Sequence, residues 1–183
     1  MKTILLVGRR ADQKIGRLLL DFLSGHEKQF LYLTDDGFRV PREGLACIDY
    51  LIYDGDDGQS LAAFPKDLVV VKNRVEPRVV TAALTGAADG IAVVDSKNAQ
   101  ALAMLSERGL HTISCGMTGK DTLTYSSVAT DEATVCISRS FADLRGHEVG
   151  EQDIVMPVPV GEDYYEVLAF CAACAALGLA DLL

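Results

Sequence analysis

The sequence predicts an α/β fold: a mostly parallel sheet flanked by helices, extended by a C-terminal antiparallel β-meander and closed by one helix. Three observations lead there. Over residues 1–115, apolar runs of strand length alternate with segments of helical spacing, the pattern of successive βαβ units. From Gly116 onward the apolar runs are β-branched and separated by turn residues, as in a meander. The last such segment, Val167 to Ala180, carries no charged or amide side chain and reads as a helix that is apolar all round.

Each element follows from local chemistry. Lys2 to Val7 is a strand with no polar face at its centre, stopped by Gly8. Asp12 to about Ser24 places Ile15, Leu18, Leu19, Phe22 and Leu23 on one helical face, with Gly25 as its stop. Strands follow at Phe30 to Leu33, Tyr50 to Tyr53 and Leu68 to Val71. A helix over Glu76 to Leu84, a strand over Ile91 to Val94, a helix over Asn98 to Arg108 and a strand over Thr112 to Cys115 complete the parallel part. The meander is expected at Thr122 to Val128, Thr134 to Ser138 and Ile154 to Val160, with turns at Thr130-Asp131 and Arg145-Gly146. The closing helix starts near Glu162. No repeat or low-complexity linker divides the chain, so a single domain over 1–183 is expected, with a parallel part (1–115), a meander (116–160) and a closing helix (162–183).

Composition bounds the function. The chain has 183 residues, 49% of them hydrophobic, enough to bury roughly 70% of its unfolded surface without disulfides or metals. Its formal net charge of -9 opposes phosphodiester backbones and anionic lipid, so neither nucleic acid nor membrane is an expected partner. The apolar run after Met1 is too short for a signal peptide, and Val167 to Ala180 is too short to cross a bilayer, so a cytoplasmic location is expected. Five cysteines, an odd number, suit reduced core thiols. Cys171 and Cys174 have C-x-x-C spacing without a second ligand pair, which favours packing over zinc. His111 and Cys115 lie roughly 13 Å apart along a strand, too far for a nucleophile pair.

Anion and metal chemistry concentrates where strands end. In GRRADQKI, Gly8 ends a strand and precedes a helix, the position of a phosphate-binding loop, and only Gly8 and Lys14 match G-x-x-x-x-G-K-[ST]. Gln13 stands where the second glycine belongs and Ile15 where a magnesium-ligating hydroxyl belongs. A weaker anion site using Lys14, Arg9 or Arg10 with the helix N-terminus stays open beside a plain turn. Asp54 ends the strand of DYLIYD, at the position of a magnesium-holding acid, and DGDDG with Asp56 and Asp57 is either a weak cation site or a solvated acidic turn.

The stretch GIAVVDSKNAQALAMLSERGLHTISCGMTGKDTLTYSSVA, together with EVLAFCAACAALGL, resembles the central, ATP-binding domain of the Mur ligases, a family that includes folylpolyglutamate synthase and cyanophycin synthetase. The resemblance spans roughly Leu68 to Leu183 and reaches faintly back to the first strand. It implies a Rossmann-like fold with a degenerate P-loop. In the family, ATP and magnesium make an acyl phosphate to which an amine is joined. Here Asp54 corresponds to the family's magnesium-binding Glu and Asn73 in VKNRVEPR to the Asn of its T-N-x-x-x-D-H segment, whose His is replaced near Arg78. No lysine between Asn73 and Asp95 can stand for the family's carbamylated lysine. The N-terminal UDP-substrate domain and the C-terminal domain are expected to be absent, and an acyl phosphate could not be shielded from water by the central domain alone.

The resemblance and the eroded motifs together lead to three expectations. The first is a relative that has lost ATP-dependent ligation, with ATP and magnesium disfavoured as cofactors, and binds a small ligand or a protein partner linked to cell-wall metabolism. The second is a nucleotide- or phosphate-binding enzyme using Lys14 and Asp54. The third is a homo-oligomeric module built on the closing helix, whose Ala/Cys-rich face meets either a second copy or an element of the same chain.

Overall fold

A computed structural model describes residues 1–40, 47–87, 89–129, 131–157 and 163–183. In chain order its elements are β1 (Lys2–Val7), α1 (Lys14–Gly25), β2 (Phe30–Thr34), β3 (Gly37–Arg39), β4 (Tyr50–Gly55) and α2 (Gly58–Ala63). Then come β5 (Leu68–Val71), α3 (Pro77–Ala83), β6 (Ile91–Asp95), α4 (Ala99–Glu107) and β7 (His111–Cys115). The last part holds β8 (Leu123–Val128), β9 (Glu132–Ile137), β10 (Phe141–Ala142), β11 (Glu148–Val149), β12 (Gln152–Pro157) and α5 (Tyr164–Ala176).

Ten strands form one sheet in the order β12-β9-β8-β7-β6-β5-β1-β4-β2-β3. The central strands pair in parallel, whereas β8, β9 and β12 pair antiparallel, as the meander requires. Strands β4, β5 and β6 are buried along their whole length, and β1 from Thr3 on, because helices cover both of their faces, which is why they read as nearly unbroken apolar runs. On one face, α1 and α5 close a core around Ile4, Leu6, Ile15, Leu19, Val70 and Phe170. On the other, α2, α3 and α4 close a second core around Leu5, Val7, Leu61, Val80, Val94 and Leu105. Alternate residues of β1 feed the two cores, as a strand's two-residue period dictates.

Four short elements escape sequence patterning. Strand β3 is three residues long and fully exposed, so it has no buried face to declare it. The DGDDG segment leads into the six-residue α2: Asp57 accepts the Ser60 amide at 2.8 Å as its N-cap, which identifies the acidic turn as a helix start. The β10–β11 hairpin has two residues per strand. Helix α1 starts at Lys14, two residues after the expected Asp12, because the Asp12 amide turns back to the Arg9 carbonyl at 2.9 Å. The expected end of the last strand, Val158 to Val160, the helix start at Glu162 and the turn residue Thr130 lie outside the described residues.

Helix α5 has both faces covered by its own chain. Its residues from Tyr165 to Ala176 are all buried: strands β5 to β8 lie on one side, α1 meets it with Phe22 edge-on to Phe170 at 5.5 Å, the Leu144 amide donates to the Ala176 carbonyl at 2.9 Å, and Met156 Sδ lies 3.1 Å from Cys171 Sγ. The Ala/Cys-rich stripe therefore meets elements of the same chain and leaves no exposed helix face for a second copy. Among the described residues, no helix is long and apolar enough to cross a membrane. Ala172 has no solvent exposure, so Ala172→Asp should cost about 4 kcal/mol or more and unfold the chain outright. Thermal melts with sedimentation velocity check this: the variant is expected to lose its cooperative transition, and a folded variant of reduced mass would contradict the intramolecular sandwich.

Candidate functional site

The strand order places the site. Strand β1 has β4 on one side and β5 on the other, and the connections after β1 and β5 leave to opposite faces of the sheet through α1 and α3. Such a switch opens a crevice beyond the carboxyl ends of the strands. Here it is a cleft of about 820 Å³ lined from the β1–α1 loop (Arg9, Asp12, Gln13, Lys14), the β5–α3 loop (Asn73, Arg74), Asp95 at the end of β6, and Tyr164 and Glu166 at the start of α5.

Beneath the cleft lies a buried polar cluster that sequence reasoning missed. Lys72, the residue after β5, has no exposed side-chain surface and makes an ion pair with Asp54 at the end of β4, so its side chain crosses the end of β1. Its ammonium also donates to the Asp12 carbonyl in the β1–α1 loop. The other oxygen of Asp54 accepts the Tyr32 hydroxyl at 2.7 Å. Two glycines make room: a Cβ on Gly8, whose φ is +151°, would stand 2.8 Å from Lys72 Cβ, and one on Gly16 would stand 2.6 Å from Asp54 Oδ2. Burial pushes the Asp54 carboxyl above the ordinary carboxylate range, opposed by the Lys72 ammonium and by hydrogen bonds from Lys72 and Tyr32. Burial likewise pushes the Tyr32 hydroxyl up, with the Asp54 charge adding to it.

The start of α5 forms one wall. Tyr165 donates to the Val71 carbonyl at 2.5 Å, and the Tyr164 hydroxyl donates to Asp95 at 2.8 Å beneath the Lys97 ammonium, which sits 4.4 Å from the Tyr164 ring centre. Glu166 closes a capping box with Asp163 and takes the Lys14 ammonium at 3.0 Å. The α1 N-terminus opposite has no side-chain cap and no acid in its first turn.

The expected site residues are therefore distributed unequally. Arg9, Lys14 and Asn73 line the cleft. Gly8 lies under Lys72, where its missing side chain serves that lysine. Arg10 points to a separate hollow with Asp35, Asp57 and Arg78, and pairs with Asp36. Asp54 is turned into the fold with no exposed side-chain surface, and Ile15 is an apolar anchor of the α1 core, 1% exposed. Neither the acid nor the hydroxyl position expected of a magnesium site can reach a cation in the cleft, so these residues do not fit that ion. Among the described residues, no group of three metal-ligating side chains is present. Lining residues outside the expected set include Arg17 and Arg74, the acids Asp12, Asp95, Asp163 and Glu166, and Tyr164. A charged residue directly continuing LVVV was the one available signal for Lys72.

Arg9 and Arg74 are exposed, and among the described residues their guanidinium groups make no hydrogen bond or ion pair. Arg74 holds φ at +58°, a left-handed conformation costing roughly 1 kcal/mol for a residue with a side chain. Asp12 Oδ1 is buried beside the cleft with no partner among the described residues.

No protein-family model matches this sequence, and neither does any curated protein. Solved structures do match. A UDP-N-acetylmuramoyl-L-alanyl-D-glutamate–2,6-diaminopimelate ligase aligns over 99% of this chain and 44% of its own, at TM-score 0.65 and 11% identity. FolC of E. coli, in complex with DHPP and ADP, aligns over 97% of this chain and 53% of its own, at TM-score 0.66 and 14% identity. A murein peptide ligase from Psychrobacter arcticus aligns over 97% and 44%, at TM-score 0.66 and 9% identity. The chain spans about half the length of these proteins and has the fold of the Mur ligase central domain.

Two outcomes test this geometry. Gly16→Ala should drive its methyl into the Asp54 carboxylate and cost about 1–3 kcal/mol in urea denaturation, whereas Gly25→Ala, where nothing lies within 4 Å, should not show a comparable clash. Burial pushes the Cys171 thiol up to about 12 and the thiols of Cys115 and Cys174 well above the usual range. Alkylation of the native protein, read by mass spectrometry, should mark exposed Cys47 and spare those three until denaturant is added.

Proposed function

We propose that this chain is a ligand-binding relative of the Mur ligase central domain that no longer carries out ATP-dependent ligation, and that its cleft takes a small anionic ligand. The observation carrying the reading is the pair Arg9 and Arg74: two cations without partners among the described residues, on opposite loops of a cleft at the sheet's switch point, in a chain of net charge -9. Two of the cleft's acids are already engaged, Glu166 by Lys14 and Asp95 by Tyr164 and the Lys97 amide, so these two arginines supply available positive charge beside the Asp12 carboxyl. The uncapped α1 N-terminus adds backbone donors of the same sign.

Loss of ligation is supported by the chemistry of the loop. Gln13 puts a side chain where a phosphate loop wraps its ligand, Ile15 is buried, and the acid at Asp54 is sealed by Lys72. Charge complementarity therefore favours a compact anion held by arginines over a triphosphate held with its metal.

Thermal-shift and calorimetric titrations with inorganic phosphate, pyrophosphate, L-glutamate and Mg-ATP test the reading. At least one of the first three is expected to stabilise the wild type, with the effect lost in Arg9→Ala/Arg74→Ala and no ATP turnover detected. Micromolar binding with turnover of Mg-ATP, or no response to any of the three anions, would overturn it.

A further inference from the structure

We propose that Lys72 is a resident cation, occupying at the carboxyl edge of the sheet the place a divalent metal would need and setting the cleft's loop without one. The fold's relatives include a protein solved with Mn and AMPPNP, yet the residues here do not fit a metal, and the reason is specific. The acid that ends β4 is satisfied from inside: Lys72 takes one oxygen of Asp54 and Tyr32 the other, and neither charged side chain has any exposed surface.

The ammonium does more than neutralise Asp54. Its second acceptor is the backbone carbonyl of Asp12, so it sits between a carboxylate and a main-chain oxygen, the donor types that hard cations select. Through that carbonyl it fixes the loop carrying Arg9, Gln13 and Lys14. A lysine can reach this point only by passing over the end of β1, and Gly8 is what lets it pass, because a Cβ there would lie 2.8 Å from Lys72 Cβ. Gly16 completes the enclosure on the Asp54 side. A lysine, two glycines, a tyrosine and a carboxylate from five separate segments thus converge on one buried charge pair. An ammonium supplied by the chain needs no dehydration of a metal ion and cannot dissociate, so the loop geometry is independent of metal supply.

The probe is Mn²⁺ alone, so the inference stands or falls apart from the anion-binding reading. Electron paramagnetic resonance of wild type titrated with Mn²⁺ should show no bound fraction that Asp54→Asn removes. Lys72→Ala should gain one Mn²⁺ per chain, at least about tenfold tighter than wild type, the effect of removing a unit charge at contact distance even in high dielectric. Lys72→Ala/Asp54→Asn should lose it again. A Lys72→Ala chain that folds only with Mn²⁺ supports the same conclusion.

Asp54-dependent Mn²⁺ binding by wild type would overturn the proposal, and so would a folded Lys72→Ala without such a site. Should the variant fail to fold under any condition, the wild-type protein decides alone. The ¹⁵N-resolved ammonium signal of Lys72 is expected to stay unchanged as Mg²⁺ is added, and a shift or loss of that signal would show a metal displacing it.

Discussion

A single lysine side chain, running from the end of β5 across β1 to the acid at the end of β4, couples the three central strands to the loop that borders the cleft. Buried ion pairs seldom add much stability over an apolar replacement, because desolvation of both charges offsets their attraction. What they impose is position, since removing one partner leaves a buried charge with nothing to face. The Lys72–Asp54 pair accordingly constrains its surroundings: Gly8 and Gly16 must lack side chains, Tyr32 must present its hydroxyl, and the Asp12 carbonyl must turn inward. The β1–α1 loop is shaped from below by this pair, whatever occupies the space above it.

The second organising feature is α5. An all-apolar helix has to be enclosed, and here it is enclosed between the sheet, α1 and the C-terminal hairpin region of its own chain. Its buried body fixes its N-terminal turn, and that turn faces the cleft. Tyr165 ties to the end of β5, Tyr164 to the acid at the end of β6, and Glu166 to Lys14 at the start of α1. Hydrophobic burial at one end of the helix thus delivers a polar wall at the other, and the cleft stands between two helix N-termini, one capped and one not.

Electrostatics separates this cleft from the rest of the surface. The chain is acidic overall, but at the crevice Asp95 and Glu166 are held by neighbouring donors, while Arg9 and Arg74 project from loops that diverge to opposite faces of the sheet. The left-handed backbone at Arg74 is the kind of local strain that a fold retains where a side chain must be aimed. The order of strands creates the crevice, the buried pair shapes one lip, and the arginines give it its sign.

Much of the architecture follows from local pattern. Unbroken apolar runs, helical spacing around Ile15 and Leu19, and the β-branched texture after Gly116 determine which segments are strands or helices, because burial on one or two faces leaves a period in the sequence. The elements that escaped, β3, α2 and the β10–β11 hairpin, are too short to show a period. The absence of a phosphate-wrapping glycine and of a hydroxyl was likewise visible at Gln13 and Ile15. The partner of Asp54 was not: a carboxylate at a strand end reads as a metal ligand until another strand, 18 residues away in sequence, brings an ammonium onto it. The same holds for Arg74 and for the covering of α5. Sequence determined the elements and the missing chemistry, since those depend on neighbours along the chain. Which charges meet, and which stay free to face the cleft, depended on strand order, which brings distant segments together by burial and leaves no local trace.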